Sequence, residues 1–233
     1  MENWDIIVID KSASMLPNIT KIIEGFNNLV IEQKNQGSIN KFTVIGFNSF
    51  VEIMKNEKFP DVSHLKESDL VLKGSTALLD AMGNVYDMIY SNKKVKNGAY
   101  KTVNITIITD GFENSSKFYT LEDLDEKKKL IDEKINLVTL FIGTDYNCIK
   151  QNILELHVTR AVNCDGDIPA AFRMISKSMS DTRESLPDTR ESLHDTRENI
   201  ETSPERDDIN KFCKKRSFLE CDSDTLPPVI KRH

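Results

Sequence analysis

The chain has 233 residues and a formal net charge of −6, and 39% of its residues are hydrophobic. This length is enough for one domain with a buried core plus an appendage. The four cysteines form no C-x-x-C pair, which argues against a zinc ribbon or a disulfide scaffold, and the mildly acidic balance disfavours nucleic acid as a partner. Because we find neither a secretory signal nor a long apolar run, we expect an intracellular, cytoplasmic protein without a membrane partner.

The composition of the chain changes near residue 180. All nine glycines lie before this point, whereas six of the eight arginines follow it. Residues 181–233 open with three seven-residue repeats, DTRESLP, DTRESLH and DTRENIE, each with a single recurring apolar position. A coiled-coil seam needs two such positions per heptad. We therefore predict a domain at 1–180 and a charged, disordered tail at 181–233, in which Lys211–Arg216 is a candidate for a nuclear localisation patch.

Apolar runs alternate with amphipathic stretches in the first 180 residues. The runs predict strands at 4–9, 42–47, 50–54, 103–109, 135–142 and 158–163. The amphipathic stretches predict helices at 17–37, 77–89, 120–134 and 168–178, with residues 55–73 as loop or short helix. The expected fold class is α/β, with a doubly wound, mostly parallel central sheet, helices on both faces and one antiparallel edge strand from the hairpin at 42–54.

Three loops of this sheet carry oxygen-bearing side chains. Segments 10–14 and 109–111 each follow a strand, and segment 74–76 precedes a helix. The functional crevice of an open α/β sheet lies outside the carboxyl ends of its strands. The loops offer two carboxylates and five hydroxyls, three of which we take as ligands, and contain no Cys or His, so they suit Mg²⁺ or Mn²⁺ better than zinc. The candidate metal ligands are Asp10, Ser12, Ser14, Thr76 and Asp110.

Three further side chains carry positional predictions. We expect Lys11 to point to solvent, and Met174 to lie on the inward face of the last helix with Ala170, Ala171 and Ile175. Asp80 lies one helical turn after Thr76. It is either a support for the metal ligands or a surface carboxylate.

The three loops resemble the metal-ion-dependent adhesion site of the von Willebrand factor type A domain. The Asp-x-Ser-x-Ser motif of that family is matched at residues 10–14, its second-loop threonine at Thr76 and its third-loop aspartate at Asp110. The strings KGSTALLDAM and ITDGFENSS are similar to those of stand-alone intracellular A domains from bacteria and viruses. The resemblance covers residues 4–178, and Ala13 departs from the glycine usual in the family.

The resemblance implies a protein-interaction module in which a bound Mg²⁺ captures an Asp or Glu side chain of an unidentified protein partner. One alternative is a metal-independent scaffold that recruits partners through its tail. A weaker alternative is a magnesium-dependent phosphohydrolase, but Ser12 stands where haloacid-dehalogenase-type enzymes carry a second acidic residue. We therefore expect no enzymatic activity, and the sequence leaves the oligomeric state open.

Overall fold

A six-stranded sheet forms the centre of the domain. Its strands are β1 (Glu2–Asp10), β2 (Lys41–Phe47), β3 (Val51–Lys58), β4 (Tyr100–Thr109), β5 (Asn136–Gly143) and β6 (Arg160–Asn163). They lie in the order β3-β2-β1-β4-β5-β6. The computed structural model describes residues 2–143, 156, 158–164 and 167–184. Neighbouring strands are parallel except for the pair β2 and β3, which is antiparallel and lies at one edge. The sheet therefore confirms the predicted mostly parallel architecture.

Helices cover both faces of the sheet, as an alternating α/β pattern requires. One buried apolar cluster joins the sheet to the first and last helices, and a second joins it to the two long helices between them. Successive residues of β1 alternate between the clusters, with Ile7 in one and Val8 in the other. The helices are α1 (Ile19–Asn35), α2 (Leu78–Ser91), α3 (Lys93–Lys96), α4 (Leu121–Asp132) and α5 (Ile168–Glu184), and Ala13–Asn18 and Glu67–Asp69 are 3₁₀ helices.

The register of the two central strands brings two predicted loops together. Strand β1 pairs in parallel with β4, and Ile9 lies opposite Ile108. Asp10 is the last residue of β1, and Asp110 follows directly after β4. Since parallel strands end at the same edge of a sheet, the two aspartates emerge beside each other.

Three local predictions differ from the structure. Strand β3 continues to Lys58, into the segment predicted as loop. Helix α5 runs to Glu184, past the composition change at residue 180. Met174 is 50% exposed and was wrongly placed inward, because the buried stripe of α5 runs along a neighbouring face of the helix. That stripe consists of Ile168, Ala171, Phe172, Ile175 and Met179.

The sequence features of the tail lie outside the described residues, apart from residues 181–184 of the first repeat, which form the end of α5. These features are the seven-residue repeats and the basic segment Lys211–Arg216, so their roles stay predictions. Within the described part of the chain, no helix has both the length and the apolar composition that a membrane crossing needs.

Candidate metal centre

Four of the five predicted ligands are connected by hydrogen bonds at the carboxyl edge of the sheet. Asp10 Oδ1 accepts a hydrogen bond of 2.7 Å from the backbone N–H of Ser12. The hydroxyl oxygens of Ser12 and Ser14 lie 3.0 Å apart, and Ser14 Oγ donates to Asp110 Oδ1 at 2.7 Å. The loops after β1 and β4 thus place their oxygen atoms in one compact group.

Thr76 borders the same group of oxygens. A Cβ atom built on Gly111 would lie 3.0 Å from Thr76 Oγ1 and 3.7 Å from Asp10 Oδ2. Glycine at this position therefore keeps a side chain out of the space beside both oxygens. The structure brings all five predicted ligands to one place, although two of them are separated by 96 positions in the chain.

Thr109 is part of this arrangement although it was not among the predicted ligands. Its hydroxyl donates a 2.6 Å hydrogen bond to Asp10 Oδ2 and accepts one of 3.0 Å from the N–H of Gly111. Thr109 therefore orients the Asp10 carboxylate and the backbone that follows Asp110. A polar residue at the end of the apolar strand β4, directly before Asp110, was the signal in the sequence.

The electrostatics of Asp10 favour a bound cation. Burial raises the pKa of the Asp10 carboxyl above its ordinary value, and the negative charge of Asp110 adds to this rise. The hydrogen bonds from Thr109 and Ser12 act in the opposite direction. Two carboxylates in one partly buried place repel each other, and a divalent cation between them would relieve that repulsion.

The residues present fit a magnesium-sized ion. Mg²⁺ prefers six oxygens in octahedral geometry at about 2.0–2.1 Å, so its neighbouring ligand oxygens lie about 3 Å apart. The 3.0 Å between the Ser12 and Ser14 hydroxyls matches this spacing. Among the described residues, no group of three or more His, Cys, Asp and Glu side chains has metal-site geometry, so the candidate centre relies on hydroxyls as well as carboxylates.

The loop after Asp110 forms hydrogen bonds with the residues at the start of α2. Asn114 Oδ1 accepts the N–H of Thr76 at 2.9 Å, and the N–H of Asn114 donates to the Thr76 carbonyl at 3.0 Å. Glu113 Oε2 accepts the N–H of Leu79 at 2.9 Å. These bonds connect the second and third loops of the site. The string ENSS after Asp110 was visible in the sequence, but its pairing with Thr76 was not.

Asp80 is buried and binds backbone. Its carboxylate accepts the N–H groups of Lys117 at 2.9 Å, Phe118 at 2.9 Å and Tyr119 at 3.0 Å. Asp80 is therefore not a surface carboxylate. It holds the far end of the loop that begins at Asp110, which is an indirect support for the candidate ligands.

Lys11 does not point to solvent, which corrects the sequence prediction. Its side chain is buried and forms an ion pair with Glu52 of β3. A Cβ atom on Gly46 would lie 2.5 Å from Lys11 Cδ, so the absence of a side chain at Gly46 of β2 leaves space for the lysine side chain.

Ala13, which departs from the glycine usual in the family, begins a 3₁₀ helix. The negative φ of such a helix suits alanine as well as glycine.

Comparison of the sequence with protein-family models and with curated proteins returns no match. Similar solved structures include the pilus adhesin SpaC from Lactobacillus rhamnosus GG, with a TM-score of 0.57, 15% identity and coverage of 77% of this chain and 30% of that one. The ArnB paralog VWA2 from Sulfolobus acidocaldarius has a TM-score of 0.51 and 19% identity over 73% of this chain and 44% of its own. BatB from Bacteroides thetaiotaomicron, a conserved hypothetical protein, has a TM-score of 0.51 and 18% identity over 79% of this chain and 100% of its own.

The chain thus spans less than half of the length of SpaC and of VWA2. Because the sequence identities are 15–19%, the structural similarity shows a shared fold.

Proposed function

Because the chain has the fold of the von Willebrand factor type A domain, we propose that it is a divalent-metal-dependent protein-interaction module. It binds Mg²⁺ or Mn²⁺ and, through the ion, an Asp or Glu side chain of a protein partner. The observation that carries this proposal is the hydrogen-bonded series Asp10, Ser12, Ser14 and Asp110, with Thr76 beside it at the carboxyl edge of the sheet.

Each side chain has a role that follows from its chemistry. When bound, the ion supplies an electrophilic centre that an external carboxylate can coordinate. The hydroxyls of Ser12, Ser14 and Thr76 hold the ion without adding charge. Asp10 and Asp110 contribute two negative charges, which formally balance a divalent cation. With at most one of these carboxylates bound directly, the ion stays strongly electrophilic and attracts an acid from outside.

The chain's own hydrogen bonds keep this donor set in place before any ion binds. The Asp10 carboxylate is oriented by the Ser12 N–H and the Thr109 hydroxyl. Asp110 is oriented by the Ser14 hydroxyl. Because these groups are already ordered, binding an ion costs little conformational entropy.

We do not propose catalysis at this place. A hydrolase of the haloacid-dehalogenase type needs an acid two residues after its nucleophilic aspartate, and Ser12 occupies that position after Asp10. The Ser12 hydroxyl has no basic side chain beside it among the hydrogen bonds it makes with described residues, so it lacks the activation that a nucleophilic serine requires.

Affinity capture of partners with the full-length protein tests the proposal. Wild type and Asp110→Ala are compared in Mg²⁺ and in EDTA, with Asp61→Ala as the matched control, since Asp61 is exposed and lies in a loop outside the candidate centre. Wild type and the control should capture the same partners in Mg²⁺ and lose them in EDTA, whereas Asp110→Ala should capture none in either buffer. Capture that persists in EDTA would show that the partner binds without the ion, at an interface outside these loops.

The alternative is a metal-independent scaffold that recruits through its tail, residues 181–233, and it is motivated by the three repeats at residues 181–201. Deletion of residues 185–233, which leaves α5 intact, separates the two alternatives. Loss of the partner on deletion, with no response to EDTA in the full-length chain, would favour the scaffold.

A further inference from the structure

Three bulky apolar side chains are exposed on the loops that surround the candidate metal centre. Leu16 is 65% exposed, Phe50 is 66% exposed and Phe112 is 42% exposed. Large apolar side chains usually lie inside a domain, and exposed groups of them mark interaction surfaces. We call these three residues the apolar collar.

Hydrogen bonds and chain connections place each member of the apolar collar beside the centre. Leu16 lies two residues after Ser14, in the 3₁₀ helix that follows β1. Phe112 follows Gly111 directly, and Gly111 borders Thr76. These two residues therefore come from the loops that carry the first and third motifs.

Phe50 belongs to the β2–β3 turn, which is fastened to the second loop of the centre. The N–H of Ala77 donates to the Asn48 carbonyl at 2.9 Å, and the N–H of Ser75 donates to Ser49 Oγ at 3.2 Å. These bonds hold the turn against the residues on both sides of Thr76. The turn places an exposed phenylalanine near the centre although it contributes none of the candidate ligands.

The charge near the collar complements an acidic partner once an ion offsets the carboxylates of Asp10 and Asp110. Lys73 is exposed, and its backbone N–H donates to the Lys11 carbonyl at 2.9 Å, which places it beside the first loop. Glu52 of β3 is paired with the Lys11 ammonium. A bound divalent ion would add positive charge at the same place.

We propose that this protein recognises segments in which an Asp or Glu is accompanied, within two or three residues, by a bulky apolar side chain. This inference rests on the proposed function, because the acid is held through the ion. The apolar neighbour packs on Phe50, Phe112 or Leu16 and excludes water from the rim of the centre. Removing water lowers the local dielectric constant and strengthens the contact between the ion and the carboxylate.

The apolar collar allows the site to discriminate among acidic partners, which the ion alone does only weakly. Any exposed carboxylate can coordinate a divalent ion, so the ion alone selects weakly among proteins. Burial of an apolar side chain against an aromatic ring adds a second requirement, and aromatic residues commonly dominate the binding energy of interfaces. Loss of one such contact is expected to weaken binding by about tenfold to a hundredfold.

The test is selection of binders from a library of random nine-residue peptides displayed on phage, with the full-length protein immobilised in Mg²⁺ and elution by EDTA. Four proteins are compared: wild type, Phe50→Ser, Phe112→Ser and Ile39→Ser. Ile39 is the matched control because its exposed fraction of 65% is close to the 66% of Phe50. It lies just before β2 begins, at the end of the sheet opposite to the candidate centre. Since all three substituted side chains are exposed, the variants should fold like wild type, and their thermal midpoints check this.

Wild type and Ile39→Ser should enrich peptides that contain an acid with a bulky apolar residue nearby. Phe50→Ser and Phe112→Ser should still enrich the acid but lose the apolar neighbour, and should bind a peptide selected by wild type about tenfold to a hundredfold more weakly. Enrichment of acids without an apolar neighbour by wild type would overturn this inference and leave the proposed function intact. Enrichment without acids, or no EDTA-eluted enrichment at all, would overturn both.

Discussion

Ser14 and Asp110 are joined by a hydrogen bond of 2.7 Å between Ser14 Oγ and Asp110 Oδ1, although 96 positions separate them in the chain. The bond exists because β1 and β4 are parallel neighbours that end at the same edge of the sheet. It couples the first loop of the candidate centre to the third. An ion bound there would contact two loops that are already held together.

The first prediction concerns stabilisation by Mg²⁺. A ligand that binds only the folded state at a hundred times its Kd stabilises a protein by about 2.7 kcal/mol. Wild type should therefore melt several degrees higher in saturating Mg²⁺ than in EDTA, and Asp10→Ala and Asp110→Ala should lose this difference while remaining folded. Differential scanning fluorimetry measures the midpoints, with Asp61→Ala as the control that keeps the full effect.

The two variants should differ from each other in EDTA. Asp10→Ala leaves the Ser12 N–H and the Thr109 hydroxyl without their acceptor in a buried place, which costs about 1–3 kcal/mol. Asp110 is only partly buried, so Asp110→Ala should cost less. Equal Mg²⁺ stabilisation of wild type and both variants would contradict the assignment of these aspartates.

The second prediction concerns Asp80 as the anchor of the loop that begins at Asp110. Asp80→Ala removes the acceptor for three backbone N–H groups, at residues 117–119, so it should destabilise the protein by about 2–4 kcal/mol. Hydrogen exchange should accelerate at these three amides while the amides of β4 stay protected. Unchanged protection at residues 117–119 would show that the loop is held by other contacts.

The third prediction concerns the close contact between α1 and α5. A Cβ atom on Gly25 would lie 2.3 Å from Cδ2 of Phe172, and Phe172 also packs against the Phe26 ring. Gly to Ala in a helix normally stabilises by about 1 kcal/mol. Here Gly25→Ala should instead destabilise by about 1–3 kcal/mol, because the ring of Phe172 must move.

A double-mutant cycle in urea unfolding tests this explanation. In the background of Phe172→Leu, Gly25→Ala should cost clearly less than in wild type, because the smaller side chain leaves room for the methyl group. Additive costs would show that the contact with Phe172 is not the cause.

The fourth prediction concerns pH and Lys41. Burial, together with the smaller effects of the positive charges of Lys94 and Lys58, lowers the pKa of the Lys41 ammonium to about 8. In the unfolded chain the ammonium titrates near its ordinary pKa of 10.5. Between these values the unfolded state binds more protons than the folded state, so the contribution of Lys41 to stability rises with pH. This contribution is complete above the unfolded pKa and is lost as pH falls towards 8.

The difference in unfolding free energy between wild type and Lys41→Met isolates this contribution. From pH 7 to pH 10 it should change in favour of wild type by on the order of 1 kcal/mol, because part of the side chain remains in water. Lys94→Gln should raise the pKa of Lys41, as measured by NMR titration of its Nζ. A Lys41 ammonium that titrates near 10.5 in wild type would contradict the prediction.

Much of the fold and of the candidate centre could be read from local patterns. Short apolar runs identified the strands, and their position placed Asp10 and Asp110 at strand ends before any pairing was known. The motif spacing at residues 10–14 predicted Ser12 and Ser14 as ligands together with Asp10, and the role of the three as ligands stays a prediction. The strand predictions succeeded because strand periodicity and strand direction are properties of a short segment.

Properties that depend on a distant neighbour could not be read in this way. Lys11 is buried because Gly46 on another strand has no side chain and Glu52 supplies a counter-charge. Asp80 is buried because the backbone of residues 117–119 turns its N–H groups towards it. Residue type and spacing specify which atoms a segment can offer, whereas the packing of remote segments determines which atoms meet and how much water remains between them.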